Sequence, residues 1–476
     1  MEGRAVTYEN LIISTYETEH ILSLKMMKGV NDHAQIYLLA VIPEEYAEEY
    51  VYITTASTPL TIGYIQEGGE PEVLFRGAVT NIQVSRQGNV FYMEVYAKSN
   101  TYVMDIAKRY RSFQDTGMTV HQLIREVMAV YTNSDCIINI PDEPIDRLMI
   151  QYRETDWEFL KRLVTHYGAG LIPDVITDKI AFYVGISEPA EVYASDPYHY
   201  TVTKSVNQYM QIKENQWPEV TEIDFTVFQL QDYRIFQVGD YIDLVGKCLV
   251  VESAEHVLGD GILNNTYCLK RKEGLKGLEQ YNAEIVGASI TGKVSGVARD
   301  KVMVDLEIDE AGRAAYWFPY STMSASPDGS GWYCMPEKGD QVRVYFPTNQ
   351  ESDAYAVSAV SGHQPAAGDS KDPMGNPNVK FLKTKSDQVI QFAEDGIIIN
   401  SGSGQATIYM KNSGELEVFG SQNVNVTATE AIVISAGTEL LLGAQESVKL
   451  KNGGGASIAL DKEGNIKIEG TKIYSN

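Results

Sequence analysis

Cysteine and histidine, which hold many protein metals, are scarce in this sequence. Its 476 residues include four cysteines and seven histidines. The cysteines show neither a CxxC pair nor the spacing of a zinc site, and no histidine lies at metal-ligand spacing from another. Cys248 and Cys268 are placed to face each other across a hairpin, but free buried thiols are the expected state in a reducing compartment. We therefore predict no metal site.

The sequence also lacks the short motifs of common enzymes. It contains no GxSxG and no P-loop. Neighbouring glutamates such as Glu44/Glu45 and Glu48/Glu49 are expected on solvated faces of an acidic chain, and a glycosidase pair cannot be recognised from sequence alone. We predict no catalytic residue, no cofactor and no enzymatic activity.

Long apolar runs and positive charge are likewise missing. No stretch approaches the length of a membrane-spanning helix, and the start of the chain, Met1 to Arg4, does not resemble a signal peptide. We therefore expect the chain to remain in the cytoplasm after synthesis. With 39 basic and 64 acidic residues the net charge is −25, which repels nucleic acids and anionic membrane surfaces. No nucleic-acid partner is predicted.

What the sequence does contain is an eight-residue repeat between Ser386 and Asn476. Each repeat has two apolar residues separated by one residue, and small or polar residues fill most of the rest. Side chains at i and i+2 of a strand lie on the same face, so each repeat predicts one short strand with two inward apolar groups. The predicted inward residues are Ile408, Met410, Leu416, Val418, Val424, Val426, Ile432, Ile434, Leu440, Leu442, Val448, Leu450, Ile458, Leu460, Ile466 and Ile468.

Glycines lie where the repeat changes its step. The spacing lengthens to ten residues at Gly453–Gly455. It lengthens again upstream, where Gly402 and Gly404 lie. Further upstream the pattern is weaker, because Asn400 replaces an apolar residue. The apolar positions of that part are Ile390, Phe392 and Ile398.

Two inward side chains per repeat are too few to form a well-filled core within one chain. Short repeats of this kind stack into β-helices in which neighbours share a core. Three copies wound around one axis supply six inward groups per layer and leave few free strand edges. We therefore predict an intertwined trimeric β-helix. A single-chain β-solenoid and a run of hairpins are the alternatives.

The rest of the chain is too long for one core, so we expect several mainly β domains. Apolar and polar residues alternate between glycine-containing turns, which predicts barrel-like sheets on both sides of a helical segment. Thr221–Phe225 is among the predicted strands, and five later strand patterns suit an OB-fold. The predicted segments are 1–110 (first barrel), 111–211 (helix-containing, α/β), 212–283 (second barrel), 284–361 (OB-fold), 362–385 (linker) and 386–476 (β-helix).

Two helices are predicted within residues 111–211. Thr119 is a suitable N-cap for the first. Thr155 and Glu158 form a capping box at the start of the second, and Gly168 is placed to end it. The buried positions predicted are Val120, Leu123, Ile124, Val127 and Tyr131 in the first helix, and Trp157, Leu160, Leu163, Val164 and Tyr167 in the second.

Several segments of the sequence resemble those of a known family. Gln151–Leu163, which reads QYRETDWEFLKRL, looks like the signature of the VgrG proteins of type VI secretion and of the related phage tail hubs. Arg111–Gln114 is similar to the segment that precedes the signature, and Pro336 with Gly339–Val342 resembles a turn and strand of the family's OB domain. The octad tail resembles the family's needle. The likeness covers nearly the whole chain, in the family's order.

The resemblance implies a homotrimeric spike of a contractile injection system. In that family two similar hub barrels per chain match a hexameric tail tube, OB domains form a collar, and a β-helical needle carries a PAAR-type tip protein. The implied partners are two further copies of the chain, the tube protein, baseplate hub proteins, the tip protein and an effector cargo. Contraction would deliver the spike to the target cell envelope. The predicted tip-docking residues, beyond the last repeat, are Lys472, Ile473, Tyr474 and Asn476.

Two other functions stay open at this stage. Phage relatives can carry a lysozyme domain between collar and needle, and some VgrG proteins carry an effector after the needle. Residues 362–385 are too short for the first, and the chain ends at Asn476, so we expect neither. The alternatives are a phage tail hub with cell-wall hydrolase activity and a trimeric β-helical adhesin. Peptidoglycan cleavage would identify the first, and a receptor-binding domain the second.

Overall fold

The computed structural model describes residues 5–65, 69–197, 199–310, 312–358, 362–363 and 373–474. The chain forms two compact units, Met1–Ser361 and Gly362–Asn476. The α-helices of the described ranges are short, and none of them is long and apolar enough to cross a membrane. They are α1 (Glu49–Ile53), α2 (Val120–Met128), α3 (Asp156–Thr165) and α4 (Val206–Asn215).

Strands make up most of the regular structure in both units. Those of the first unit are β1 (Leu11–Ile13), β2 (His20–Gly29), β3 (Asp32–Ile42), β4 (Pro59–Tyr64), β5 (Glu72–Gln87), β6 (Val90–Ser99), β7 (Arg109–Phe113), β8 (Ser134–Ile138), β9 (Met149–Glu154), β10 (Leu171–Pro173), β11 (Ile180–Val184), β12 (Val192–Ser195), β13 (Tyr200–Lys204), β14 (Thr226–Asp232), β15 (Tyr241–Leu244), β16 (Lys247–Gly259), β17 (Ile262–Lys270), β18 (Ser289–Ala298), β19 (Lys301–Leu306), β20 (Trp317–Pro319), β21 (Gln341–Tyr345) and β22 (Tyr355–Ser358). Those of the second unit are β23 (Lys380–Lys383), β24 (Gln388–Ala393), β25 (Gly396–Ser401), β26 (Ala406–Lys411), β27 (Leu416–Gly420), β28 (Ser447–Lys451), β29 (Ser457–Asp461) and β30 (Ile466–Glu469).

Twelve strands of the first unit form one sheet. Along its main path the order is β1-β4-β5-β6-β3-β2-β16-β17-β14-β13, with β15 pairing to β16 and β12 pairing to β15. The two predicted barrel regions therefore meet in a single sheet, because β2 pairs antiparallel with β16 and places Met27 opposite Glu255. A division of this sheet into two separate barrels stays a prediction.

The large sheet carries two separate apolar cores. The first lies mainly on β2 to β6, and the second on β14 to β17. The long hairpin β16–β17 serves both: Leu258 and Leu263 at its tip belong to the first core, whereas Tyr267 nearer its base belongs to the second. An isolated bridge between Thr7 and Ile262 ties the start of the chain to the same tip.

The two helices predicted within residues 111–211 are confirmed as α2 and α3. Thr119 and Thr155 each accept a hydrogen bond from the amide nitrogen three residues later, at 3.3 and 3.1 Å. The predicted apolar positions within the helices are at most 2% exposed. Tyr131 and Tyr167 lie just beyond the helix ends and pack against the same core. Gly168 has a φ of +63°, a left-handed conformation that suits the end of a helix.

Two elements of the first unit differ from the sequence prediction. Thr221–Phe225 is predicted as a strand but contains a 3₁₀ turn, Glu222–Phe225. The reason is local, because the amide of Thr221 donates to the Asp224 carboxylate at 2.8 Å, and such bonds compete with strand pairing. Helix α4 has no clear apolar stripe, since Ile212 is its one buried residue, and the sequence did not predict it.

The cysteine pairing considered from the sequence is wrong. Cys248 lies opposite Asp243 in the pairing of β15 with β16. Cys268 lies opposite Ser253 in the pairing of β16 with β17. The two thiols therefore do not face each other across the hairpin. All four cysteines are free, but the expectation that they are buried is wrong for Cys248 and Cys334, which are exposed.

The five strands predicted for the OB region are present. β18 to β22 form a separate sheet in the order β20-β19-β18-β21-β22. Phe318, Val344 and Phe346 are fully buried in its core. Leu148 and Ile150, which come from the helix-containing segment, belong to the same core. The OB region is thus packed directly against the elements that precede it.

The strands of the second unit form two antiparallel sheets. β23 to β27 make a five-stranded sheet in chain order, and β28 to β30 make a three-stranded one. Residues 421–446, which are all described, contain no strand. Hairpins, one of the alternatives that the octad pattern left open, thus form both ends of the tail. The winding of three chains around one axis stays a prediction.

At two of the eight-residue steps a four-residue turn joins neighbouring strands. The turns 412–415 and 462–465 each have glycine in third place, with φ of +90° at Gly414 and +85° at Gly464. A residue with a side chain adopts this left-handed conformation only at a cost. Where the step is ten residues, the turn 452–456 contains the three consecutive glycines.

The strand register corrects one position of the upstream pattern. Ile398 is expected to point inward, but it lies opposite Gln391 and Tyr409. Ile397 and Ile399 instead share a face with the apolar residues of β24. The cause is the connection between β24 and β25, where two residues separate the paired Ala393 and Gly396, whereas five separate the paired Met410 and Leu416 of β26 and β27. Because these two lengths differ by an odd number, a step of eight reaches the opposite face.

Candidate functional site

One face of the five-stranded tail sheet is apolar across four strands. Directly paired residues lie on the same face, and Ile408 is opposite both Ile399 and Val418. Most members of this face are 39–64% exposed, so the single chain leaves it open to solvent. On β24 to β27 its apolar residues are Ile390, Phe392, Ile397, Ile399, Ile408, Met410, Leu416 and Val418, and Leu382 of β23 lies opposite Ile390.

The three-stranded tail sheet is one-sided in the same way. On one face Lys449 lies opposite Ala459, which lies opposite Lys467. The other face gathers six of the predicted inward residues, and five of them are exposed. These six are Val448, Leu450, Ile458, Leu460, Ile466 and Ile468.

The other predicted inward residues lie in the strandless segment 421–446. They are Val424, Val426, Ile432, Ile434, Leu440 and Leu442. These side chains are 51–71% exposed, and the structure brings them into neither a strand nor a core. Val433 and Leu441, which lie inside two of the pairs, are more exposed still, at 86% and 80%. The role of all these residues as a trimer core stays a prediction.

The predicted tip-docking residues follow β30. Lys472, Ile473 and Tyr474 lie beyond its last residue, outside any strand, and are exposed. Asn476 lies outside the described residues. Their contact with a tip protein stays a prediction.

The signature Gln151–Leu163 places a buried carboxylate at the start of α3. Asp156 accepts hydrogen bonds from the Gln151 amide at 3.0 Å, from the Tyr131 hydroxyl at 2.5 Å and from the Arg111 guanidinium. Burial, together with the hydrogen bond to this carboxylate, raises the pKa of Tyr131. An acidic residue in the first turn is also favoured by the helix dipole. Asp156 thus binds β7, β9 and the end of α2 to α3.

A β-bulge at Arg153 of β9 sets which way the following signature side chain, that of Glu154, points. Arg153 has a φ of +54° and no partner on β7, where the register shifts between Arg109 and Tyr110. A bulge interrupts the alternation of side chains along a strand. Gln151 and Glu154, three residues apart, are therefore both buried.

Arg162 of α3 is buried between two carboxylates. Its Nε and Nη2 donate to the two oxygens of Glu154, each at 2.8 Å, and Nη1 donates to Glu351 at 2.9 Å. Nη2 also donates to the carbonyl of Ile150 at 2.9 Å. Burial alone would lower the pKa of Arg162, but the attraction of Glu351 and Glu154 raises it. Because Glu351 belongs to the OB region, the guanidinium joins two parts of the first unit.

Further polar contacts cross the same boundary. The Ser112 amide donates to Asp309 at 2.5 Å, and the Ser112 hydroxyl bonds the other oxygen of that carboxylate. The Gln114 amide donates to a carbonyl of β19 at 3.1 Å. At the surface, Arg313 pairs with Glu126 at 2.7 Å. The helix-containing segment and the OB region are thus joined by several independent bonds.

Buried histidines of the first unit act as packing elements. His256 is fully buried, and its Nδ1 lies 2.8 Å from the side-chain oxygen of Asn265. Burial and the nearby charge of Lys28 lower the pKa of His256 to about 3. Burial and the charge of Arg147 lower the pKa of His166 to about 4. Among the described residues, no group of three or more potential metal ligands occurs.

Two parts of the chain match models of known families. Residues 53–183, which contain the signature, match the phage tail baseplate hub. Residues 290–360 match the injector OB domain of type VI secretion systems and phage baseplates. The chain belongs to the VgrG and phage tail hub family. We accordingly call residues 1–283 of this family member the hub and residues 284–358 the collar.

Solved structures share the fold of this VgrG family member. One is c3393, a component of the E. coli type VI secretion system that has structural similarity to the T4 bacteriophage tail proteins gp27 and gp5. It matches this chain with a TM-score of 0.53 and 14% identity, and the match covers 73% of this chain and 98% of c3393. A Francisella PdpA–VgrG complex matches with a TM-score of 0.53 and 8% identity, over 86% and 87%. Identities this low show the fold alone. No curated protein sequence matches significantly.

Sequence reasoning missed the bonds between hub and collar. Arg162 with Glu351 and Ser112 with Asp309 are each about two hundred residues apart in the chain. One local signal existed for the arginine, because Phe159 is buried and a helical residue three positions later lies on the same face. The identity of the distant carboxylate had no signal in the sequence.

Proposed function

We propose that this VgrG family member is the homotrimeric spike of a contractile injection system. The one-sided apolar surface of its tail carries the proposal. Two sheets and the segment between them expose apolar side chains at octad spacing in the single chain. Soluble monomers rarely expose contiguous apolar surface of this extent. Three copies around one axis would bury each pair against its symmetry mates.

The hub would seat the trimer on the injection tube. The large sheet has two apolar cores in each chain, so three chains would present six cored units to a hexameric tail tube protein. Baseplate hub proteins would surround this ring. The Francisella structure is a complex of VgrG with PdpA, which is a precedent for a further protein partner. We propose that the further partner of this chain is an effector cargo, as the family resemblance implies.

The tail would be the needle that pierces the target envelope. Its end has a free strand edge at β30 and exposed Ile473 and Tyr474, a surface that a PAAR-type tip protein would cover. We place the chain in the cytoplasm until assembly and at the target cell envelope after contraction. The role is structural, because the buried polar residues of the signature bond to one another and to the backbone.

Light scattering on the purified full-length chain at micromolar concentration tests the trimer. We expect three times the mass of one chain. A truncated chain, residues 1–385, should have the mass of one chain while keeping the circular dichroism and melting of its folded domains. A full-length monomer would overturn the proposal.

Deletion of residues 471–476 tests the tip. The shortened chain should remain a trimer but no longer bind a purified PAAR-type protein from the same organism. If it binds that protein as tightly as the full-length chain does, the docking assignment is wrong. Release of soluble fragments from peptidoglycan would instead favour the hydrolase, and saturable binding to intact cells without a tip protein would favour the adhesin.

A further inference from the structure

We propose that Arg162, Glu154 and Glu351 form a clamp that makes hub and collar one cooperative block. Arg162 is a positioning residue: by binding Glu154 and Glu351 it holds the collar against the hub. The clamp is a property of one chain, so it holds whether or not the spike proposal is correct. In this chain the clamp would make the junction between hub and collar rigid, with no hinge.

Every arm of the Arg162 guanidinium is used. Four hydrogen bonds of 2.8–2.9 Å run from it, two to Glu154 on the hub side, one to Glu351 of the collar and one to a backbone carbonyl. The side chains of Arg162 and Glu351 are only 2% and 5% exposed. This fork geometry belongs to arginine, since an ammonium group cannot bond two separate carboxylates in the same plane.

Burial explains why the clamp would couple the two domains. If the collar moved away, the buried guanidinium of Arg162 would lose Glu351, one of its two carboxylate partners. Removing one partner of a buried ion pair is far more costly than the pair itself is stabilising. The apolar core adds to this, because Leu148 and Ile150 of the hub lie in the core of the collar. The boundary should therefore open only when one of the domains unfolds.

The same boundary contains a natural control. Arg313 of the collar pairs with Glu126 of α2 at 2.7 Å, but the two side chains are 37% and 33% exposed. Partly solvated pairs of this kind contribute little to stability. Loss of Arg313 should thus leave the coupling intact, although it removes an arginine–glutamate pair from the same interface.

Hydrogen exchange on the full-length chain tests the clamp. In the natural chain, amides of the collar strand β21 and of the hub helix α2 should exchange through openings of equal free energy. Glu351→Gln keeps the shape of the side chain and leaves Arg162 paired with Glu154. We expect it to speed exchange in β21 by roughly 10- to 100-fold, while α2 stays unchanged. Arg313→Gln should change exchange in β21 by less than about 3-fold.

A double variant separates the clamp from general destabilisation. Arg162→Lys keeps the charge but not the fork, so it should speed exchange in β21 as Glu351→Gln does. Because both substitutions break the same bond, the double variant should be no worse than the more severe single one. Additive effects would overturn the clamp. So would unequal opening of hub and collar in the natural chain, or unchanged exchange in β21 of both single variants.

Discussion

The two units of the chain use the same strand pattern with opposite outcomes. In Met1–Ser361 the apolar positions of alternating strands, such as Leu24 and Leu38, are covered by other parts of the same chain. In Gly362–Asn476 the alternation is as regular, yet Ile408 and Ile458 remain exposed. A sheet needs a second layer to bury its apolar face, and the described residues provide none for the tail sheets. Alternation therefore tells which face is apolar, but not what covers that face.

The largest effect should come from a charge on the predicted trimer seam. Ile432→Asp would place three carboxylates on one apolar layer, where each unpaired buried charge costs about 3–5 kcal/mol. We expect the full-length chain to lose its trimeric mass by light scattering at micromolar concentration. The hub and collar, which complete their cores within one chain, should keep their circular dichroism.

The adjacent residue supplies the matched control. Val433 lies between the two predicted inward residues of its octad and is 86% exposed. Val433→Asp should therefore leave the mass unchanged. Equal loss of the trimer in both variants would show that the octad pairs do not define an inward face.

A smaller effect should appear in acid, in the unfolding of the first unit. His256 has a folded pKa of about 3 against 6.5 for an ordinary histidine, so its folded form resists protonation. The unfolded chain takes up this proton as the pH falls below 6.5, and stability is lost from there down to about 3. The slope is at most about 1.4 kcal/mol per pH unit. Residues 373–474 contain no histidine.

Urea unfolding at several pH values checks this effect. His256→Gln should flatten the loss of the free energy of unfolding of the first unit between pH 6.5 and 3. His20→Gln, at an exposed histidine, should leave the pH dependence as it was. An unchanged slope in the His256 variant would mean that other groups set the acid sensitivity.

The smallest effect should come from a turn of the tail. Gly414 has a φ of +90°, so Gly414→Ala forces a side chain into a left-handed conformation at a cost of about 1–2 kcal/mol. Gly437 lies in the strandless segment, has no left-handed φ and has open space around its Cα, so Gly437→Ala should be neutral. Thermal melting of the tail measures both. Equal shifts would show that the turn conformation does not limit tail stability.

Features with local causes could be read from the sequence. Both capping threonines, the buried stripes of α2 and α3 and the five collar strands depend on residues within a few positions of one another. The octad positions of β26 to β30 likewise fall on single faces, since their turns are short and regular. The one upstream error, Ile398, arose where an even number of residues, two, separates the paired ends of β24 and β25, whereas five separate Met410 from Leu416.

Features with distant causes could not be read in this way. Nothing near Glu351 indicates that its partner is Arg162, and no local pattern shows that β2 and β16 are neighbours. Helix α4 was not predicted for a different reason, because a single buried residue gives no helical periodicity in the sequence. The bulge at Arg153 was hidden as well, since an arginine seldom marks a left-handed position.

The pairing of β2 with β16 also limits when the hub can fold during synthesis. Met27 is synthesised long before its partner Glu255, and the first core waits for Leu258 and Leu263. A nascent chain that ends before β16 has an open strand edge and an incomplete core, which are features that favour aggregation. Contacts between such distant positions also form slowly. The ribosome-bound intermediate, rather than the finished hub, is thus the stage at which we expect this chain to aggregate most readily.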